Sequence, residues 1–321
     1  MKAVFFDGAR FALEETPKPE PGPGEVLIRI AVAGICATDI EIGRGYMDFT
    51  GIPGHEFVGI VAESDRESLP GARVVGEINC PCGACDFCLR DLGGHCPNRT
   101  VLGIHGRDGC FAEYLTLPEE NLHVVPESLS DARAVFVEPL AAAFRIVEQI
   151  GSVEGKRAAV VGDGKLGLLV AQALASDGAN VCLVGRHPER ESIVSPRGIE
   201  FIEEKSERAA ALRRSFPIAV DCTGSPDGPP AALELVEPMG ILVVKSTVHE
   251  PLSLPSDRLV VDEIALVGSR CGPFKRAIRA LETGEIETEG LVEKSFPLAG
   301  APEAIRLASE PGVLKVLITT N

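Results

Sequence analysis

No run of about eighteen apolar residues occurs in the 321-residue chain, so no membrane-spanning helix and no membrane partner are expected. Met1 to Gly8 lack the basic and apolar regions of a signal peptide, and a cytoplasmic protein is expected. Basic residues are few beside acidic ones, 31 against 47, for a formal net charge of −16. A surface of that sign repels a phosphate backbone, which argues against a nucleic-acid partner and requires a local basic group wherever a phosphate binds. Internal repeats, coiled-coil heptads and low-complexity tracts are also missing. What is present is enough length and apolar composition, 45% hydrophobic, for two ordinary domains. Ten cysteines are present, five of them between Cys80 and Cys96. Without a secretion signal such crowding points to a metal and not to a disulfide framework.

The pattern of apolar residues divides the chain. Val26 to Val32, Gly54 to Val61, Arg73 to Ile78, Phe111 to Thr116 and Leu122 to Val125 read as strands of a β-rich region. Near Ser130 a helix starts, and Pro139 argues against one unbroken helix through to Ile150. From Arg157 onward strands and helices alternate. Strands are expected at Ala158 to Gly162, Asn180 to Val184, Ile218 to Asp221, Ile241 to Lys245 and Ile264 to Ser269. Such alternation is the signature of an α/β doubly wound parallel sheet. Lys275 to Glu282 and Ala301 to Leu307 read as helices, and Leu314 to Thr319 as a closing strand.

At the first of these strand-to-helix junctions lies Gly162-Asp163-Gly164-Lys165-Leu166-Gly167, a G-x-G-x-x-G turn. Gly162 permits the tight turn, Gly164 lets the backbone approach a pyrophosphate, and Gly167 lets helix and strand pack. The free N–H groups at the helix start then face the phosphates. The second strand ends in Gly185-Arg186-His187, with no acid to hold a ribose 2′-hydroxyl. A guanidinium there binds a 2′-phosphate, so NADP(H) is expected over NAD(H), and an acid placed at Gly185 is expected to reverse the preference. Thr223, Ser269 and Arg270, at the ends of later strands, complete the expected cofactor residues.

Two metal sites are legible. Cys82-x-x-Cys85-x-x-Cys88-x7-Cys96 offers thiolates at the spacing of a closed tetrahedral zinc, with Cys80 as a fifth thiol nearby. A dispersed set, Cys36, His55, Glu56 and Glu138, combines thiolate, imidazole and carboxylate, a donor set that holds zinc while leaving a position open. A zinc deaminase would need H-x-E, which His55-Glu56-Phe57 does not supply.

Taken in order, Gly34-Ile35-Cys36-Ala37-Thr38-Asp39, Gly54-His55-Glu56, the four-cysteine lobe, Phe111-Ala112-Glu113-Tyr114, Val137-Glu138-Pro139-Leu140 and Gly162 to Gly167 resemble the zinc-containing medium-chain dehydrogenase/reductase family along nearly the whole chain. The resemblance implies a GroES-like catalytic domain over 1–139 and 276–321, with a structural zinc lobe at 80–97, and a Rossmann domain over 140–275. It implies two zinc ions. Cys36, His55 and Glu138 fall on the catalytic ligands, with Glu56 as ligand in some branches, and Cys82, Cys85, Cys88 and Cys96 on the structural set. Thr38 falls on the proton-relaying hydroxyl and Asp39 on the acid that orients the histidine, while Glu41 stands where a relay histidine is common. Glu138 looks like the polyol, sugar and threonine dehydrogenase branches. The implied reaction is hydride transfer between a small alcohol and NAD(P), with zinc polarising the substrate oxygen, in a homodimer or homotetramer. Carbonyl reduction in the opposite direction and a non-catalytic NADP(H)-binding regulator are the alternatives. Substrate contacts are expected around Tyr46 to Phe49, Lys245 to His249 and Ser269 to Phe274.

Overall fold

A computed structural model describes residues 1–247 and 251–320, so Val248 and His249 of the expected substrate contacts lie outside the described residues. The chain forms two compact units, Met1–Glu138 with the segment from Leu291 onward, and Pro139–Gly290.

Strand Glu25–Gly34 is the centre of the first unit. Its Val26, Leu27, Ile28, Ile30 and Ala33 are all buried, which is why it reads as a nearly continuous apolar run. One edge pairs antiparallel with Glu56–Glu63; the other takes Tyr114–Pro118 along its first half and Lys315–Thr319 along its second. The register decides what meets at its end. Gly34 stands opposite Glu56 on one side and Leu317 on the other. Cys36, the pair His55 and Glu56, and Lys315 therefore converge although they come from three distant parts of the chain. Asn79–Cys80, Thr100–Leu102 and Gly106–Arg107 make a small separate sheet, and the cysteine-rich loop runs from the first of these strands to the second.

Pro139 acts as the sequence implies. A short helix, Asp131–Ala134, ends, and a new one, Val137–Ile150, starts with Pro139 in its first turn, where no backbone bond is lost.

The second unit holds a parallel sheet. Among the described residues its strands in chain order are Arg157–Val161, Asn180–Gly185, Glu200–Glu203, Phe216–Asp221, Val236–Val244 and Ala265–Gly268, arranged third, second, first, fourth, fifth, sixth. The chain switches sides next to the first strand, and in such sheets the crevice at the carboxyl ends there receives the ligand. Glu200–Glu203 is a strand that sequence reading does not find. In Glu-Phe-Ile-Glu only Ile202 is buried, and acids flank the apolar pair. Helix Lys165–Ser176 packs on the sheet through a stretch buried from Gly167 to Leu174, apolar but for Gln172.

The return to the first unit falls at Leu291, not at 276 as the motifs imply. Helix Phe274–Glu282 is held in the second unit because Arg276 bonds Asp177 at 3.1 Å and Glu285 at 2.6 Å and lies over the Phe144 ring. The following loop is held as well: Gln172 donates to the Glu287 carbonyl at 3.0 Å and accepts from its N–H at 2.8 Å.

Candidate active site and cofactor turn

Cys36 lies just past strand Glu25–Gly34 and is the residue from which helix Ala37–Ile42 starts. Asp39, three residues on, serves two neighbours. Its Oδ2 accepts the Cys36 N–H at 2.8 Å, and its Oδ1 stands 3.3 Å from Nδ1 of His55. Both side chains are buried, and the second contact misses hydrogen-bond geometry. Burial works against charge on the imidazole, but the Asp39 carboxylate, followed by the Cys36 sulfur, overrides it and holds His55 well above its usual pKa.

The Cys36 sulfur, an imidazole nitrogen of His55 and a carboxylate oxygen of Glu56 lie within 4.8 Å of one another. Glu56 is buried, and its Oε2 pairs with the ammonium of Lys315, which also donates to the Ile35 carbonyl at 3.4 Å. Oε1 of Glu56 has neither solvent nor a hydrogen-bond partner. An orphaned buried carboxylate oxygen costs about 1–3 kcal/mol or more. A cation beside the thiolate and imidazole removes that cost, so the residues fit a zinc ion. Gly34 is small because a Cβ there would meet Oε2 of Glu56 at 2.5 Å.

Lys315 is the member of this group that sequence reading misses. It is 1% exposed; burial opposes its charge, and the Glu56 carboxylate overrides this to keep the ammonium charged. A lysine opening a terminal strand carries no local signal; only the register with Gly34 brings it in. Glu138, in contrast, stands outside the three-residue group, half-buried in the first turn of Val137–Ile150. Among the described residues the carboxylate grouped with Cys36 and His55 is Glu56. Thr38 Oγ1 lies 3.8 Å from the Cys36 sulfur. Glu41, one turn further along, is ion-paired with Arg44 at 2.6 Å. Of the expected substrate contacts, Phe49 is buried against Phe6 and Ile42 and belongs to the core.

Cys82, Cys85, Cys88 and Cys96 come together, with sulfur separations of 3.5 Å (Cys85–Cys88), 3.6 Å (Cys85–Cys96), 3.5 Å (Cys82–Cys96) and 4.0 Å (Cys82–Cys88). A tetrahedral zinc with sulfurs at about 2.3 Å sets them about 3.8 Å apart, so the cage fits that ion. N–H groups of Ala84 and Cys85 bring Cys82 down to about 6, towards the thiolate a metal requires. Cys80 is not part of the cage. It is buried, accepts from Asn121 Nδ2 at 3.8 Å, and burial pushes its thiol up.

The glycine-rich turn has the geometry its sequence demands. Gly162 has φ +103°, and a Cβ there would meet the Cys222 carbonyl at 2.8 Å. At Gly167 a Cβ would run into the Gly162 carbonyl, whereas at Gly164 it would meet nothing. The open side of Gly164, at the start of helix Lys165–Ser176, is the approach a pyrophosphate needs, and Leu166 continues that helix start. Thr223 and Ser269 follow the fourth and sixth strands at the same carboxyl edge; Thr223 bonds Asp221 at 2.8 Å, and Ser269 Oγ is buried without a partner. Arg270 lends its carbonyl to Lys245 at 2.8 Å.

Asp163, inside the turn, is a finding. Its Oδ2 accepts the N–H groups of Arg186 at 2.9 Å and His187 at 2.8 Å, its Oδ1 lies 3.0 Å from His187 Nδ1, and Arg190 donates to its carbonyl at 2.8 Å. This tie fills the space beside Gly185, where a Cβ would sit 2.6 Å from the Cβ of Asp163. An aspartate at position 185 would thus break the turn instead of reaching a ribose. Arg186 is also engaged: its Nε bonds Glu204 at 2.6 Å and its Nη2 at 3.3 Å.

Among the described residues no helix is long and apolar enough to cross a membrane. A family model of the alcohol dehydrogenase GroES-like domain matches residues 22–127, and one of the zinc-binding dehydrogenases matches 166–283. The chain is 30% identical over 329 residues to D-altritol 5-dehydrogenase of Agrobacterium fabrum, covering 97% of each. A structure from Sinorhizobium meliloti bound to NADP is similar with a TM-score of 0.90 and 28% identity, over 99% of this chain and 98% of that one. An alcohol dehydrogenase of E. coli complexed with NADH is similar with a TM-score of 0.90 and 27% identity, over 99% of each.

Proposed function

This chain belongs to the zinc-dependent medium-chain dehydrogenase/reductase family, and from that membership we propose that it oxidises a polyol, sugar or other secondary alcohol, with NADP(H) preferred over NAD(H). The observation that carries the reading is the buried Cys36–His55–Glu56 group with its partnerless Oε1. When bound there, zinc supplies a Lewis acid for the substrate oxygen, and the nicotinamide supplies the hydride acceptor. Cys36 and His55 hold the metal, with Glu56 and Glu138 as the two carboxylates available to it. Asp39 positions both fixed ligands, one through a backbone N–H and one through the imidazole. Thr38 takes the substrate's hydroxyl proton at Oγ1, and Glu41, three residues along the same helix, passes it to solvent. Cys82, Cys85, Cys88 and Cys96 hold a second zinc that braces their loop. Ten free cysteines fit a reducing cytoplasm.

The cofactor lies along Gly162 to Gly167, with Arg186 nearest the adenosine ribose. Preference for NADP(H) rests on that guanidinium and on the neutralisation of Asp163 by its own donors. The chain is a homodimer or homotetramer, joined through the edge strand Ala265–Gly268, where Leu266 is 45% exposed and the nearby Val260 and Val261 are 73% and 78% exposed.

Zinc analysis combined with a turnover screen over polyols, sugars, 3-hydroxy amino acids and simple alcohols tests the function. Activity on an alcohol that is lost on chelation and falls by two or more orders of magnitude in Thr38→Val is the expected result. Active protein without zinc, or a fully active Thr38→Val, overturns it.

A further inference from the structure

At the ends of the second and third parallel strands stand two charged side chains that the glycine-turn tie does not use, the Arg186 guanidinium and the Glu204 carboxylate. Glu204 follows the edge strand Glu200–Glu203, and its N–H donates to the Gly185 carbonyl at 2.8 Å. That bond fixes it beside the position where dinucleotide-binding sheets keep the ribose-reading residue. Its carboxylate engages Arg186 through Nε and Nη2, a fork contact of the kind a phosphate would otherwise make. The pair is open to solvent, with Arg186 68% and Glu204 30% exposed, so its partners can exchange. Gly185 cannot supply an acid, because the Asp163 side chain occupies its Cβ direction. Asp163 itself is spent on two N–H groups, His187 and Arg190.

We propose that Glu204 sets the cofactor preference by competing with the 2′-phosphate for Arg186. The inference rests on the reading that the Pro139–Gly290 unit binds a dinucleotide at its strand ends. A 2′-phosphate must displace the Glu204 carboxylate from the guanidinium and approach its negative charge. A 2′-hydroxyl meets in Glu204 the acceptor that relatives with an acid after the second strand carry there, here supplied by the neighbouring strand. Arg186 thus favours NADP(H) and Glu204 holds that preference down, so both cofactors bind. The other charges acting on the pair are Lys205, Asp163 and Asp227. The guanidinium is charged with or without Glu204, so the carboxylate competes for its N–H donors and not for its charge.

The test uses the full chain and two adenosine fragments, 2′,5′-ADP and 5′-AMP, titrated at equilibrium so that neither zinc nor turnover enters the readout. Glu204→Gln is expected to tighten 2′,5′-ADP about fivefold while 5′-AMP is unchanged or weaker. Arg186→Ala is expected to weaken 2′,5′-ADP roughly tenfold or more, and adding Glu204→Gln to it to restore part of the loss. If Glu204→Gln leaves the ratio of the two affinities unchanged, or weakens 2′,5′-ADP, the proposal is overturned while the dinucleotide reading stands. If the unmodified chain binds neither fragment, nor NADH or NADPH, the dinucleotide reading fails and takes the proposal with it. Neither side chain is buried, so matched thermal midpoints will show that the variants fold.

Discussion

Asp39 is the residue on which the Cys36–His55–Glu56 group turns. One oxygen ties down the backbone of Cys36 and the other faces His55. In Asp39→Asn the amide oxygen can keep the first contact, but an NH2 then faces the imidazole nitrogen. We expect zinc affinity, measured by competition with a chelator, to fall by about 10- to 100-fold with little loss of fold. An unchanged affinity would mean that His55 needs no orienting group. Lys315 answers a different question. It is paired with Glu56 inside the protein, both about fully buried, and removing one partner of such a pair leaves a stranded charge. Lys315→Met in metal-stripped protein should lower the unfolding free energy by roughly 3–5 kcal/mol in denaturant titration. A loss below about 1 kcal/mol would show that the Lys315–Glu56 pair does not hold the fold. The grouping of Cys36 with His55 is legible in the sequence because each stands in a short motif; Lys315 is not, because it joins Glu56 only through strand pairing between distant segments.

At the scale of elements, the cysteine loop has two minimal strands and two short helical turns to hold it, Asp86–Leu89 and Gly93–His95. Its order depends on the four sulfurs. Cys85→Ala should lower the thermal midpoint by several degrees and release about one zinc per chain, while the donor set at Cys36 and His55 keeps its own metal. Loss of both metals together would show that the two sites are not independent. Spacing alone makes this loop readable, as it does the glycine turn, since both are built from residues close in sequence. The strand Glu200–Glu203 is hidden for the opposite reason: at a sheet edge one buried isoleucine suffices, and the flanking acids erase the alternation. The Asp163 tie is equally silent, because an aspartate in a glycine-rich turn reads as solvent-facing until the paired strands bring Arg186 and His187 over it. Expecting an acid at Gly185 to recruit NAD(H) fails for that reason.

At the scale of the whole molecule, the edge of the parallel sheet bears on assembly. The sixth strand is an edge of the described parallel sheet and carries the exposed Leu266, with Val260 and Val261 exposed nearby, in a chain whose net charge of −16 disfavours casual association. Leu266→Lys places a charge on that edge and should turn the proposed oligomer into monomer in sedimentation velocity; an oligomer that persists in the variant would send the interface elsewhere. The division into two units was legible from the change of periodicity, and its second boundary was not, because Arg276 and Glu287 are held by contacts from residues about a hundred positions earlier. The position of strand Lys315–Thr319 has a further consequence for the order in which the protein is made. The ribosome delivers every strand of the parallel sheet by residue 268, yet the first sheet still lacks the strand that lies between Glu25–Gly34 and Val292–Pro297. Cys36, His55 and Glu56 emerge early, but Lys315 joins Glu56 only after a separation of 259 residues. A nascent chain that has not yet reached residue 315 therefore holds Cys36, His55 and Glu56 without the ammonium that pairs with Glu56, so this group is completed only after every described strand of the parallel sheet has been made.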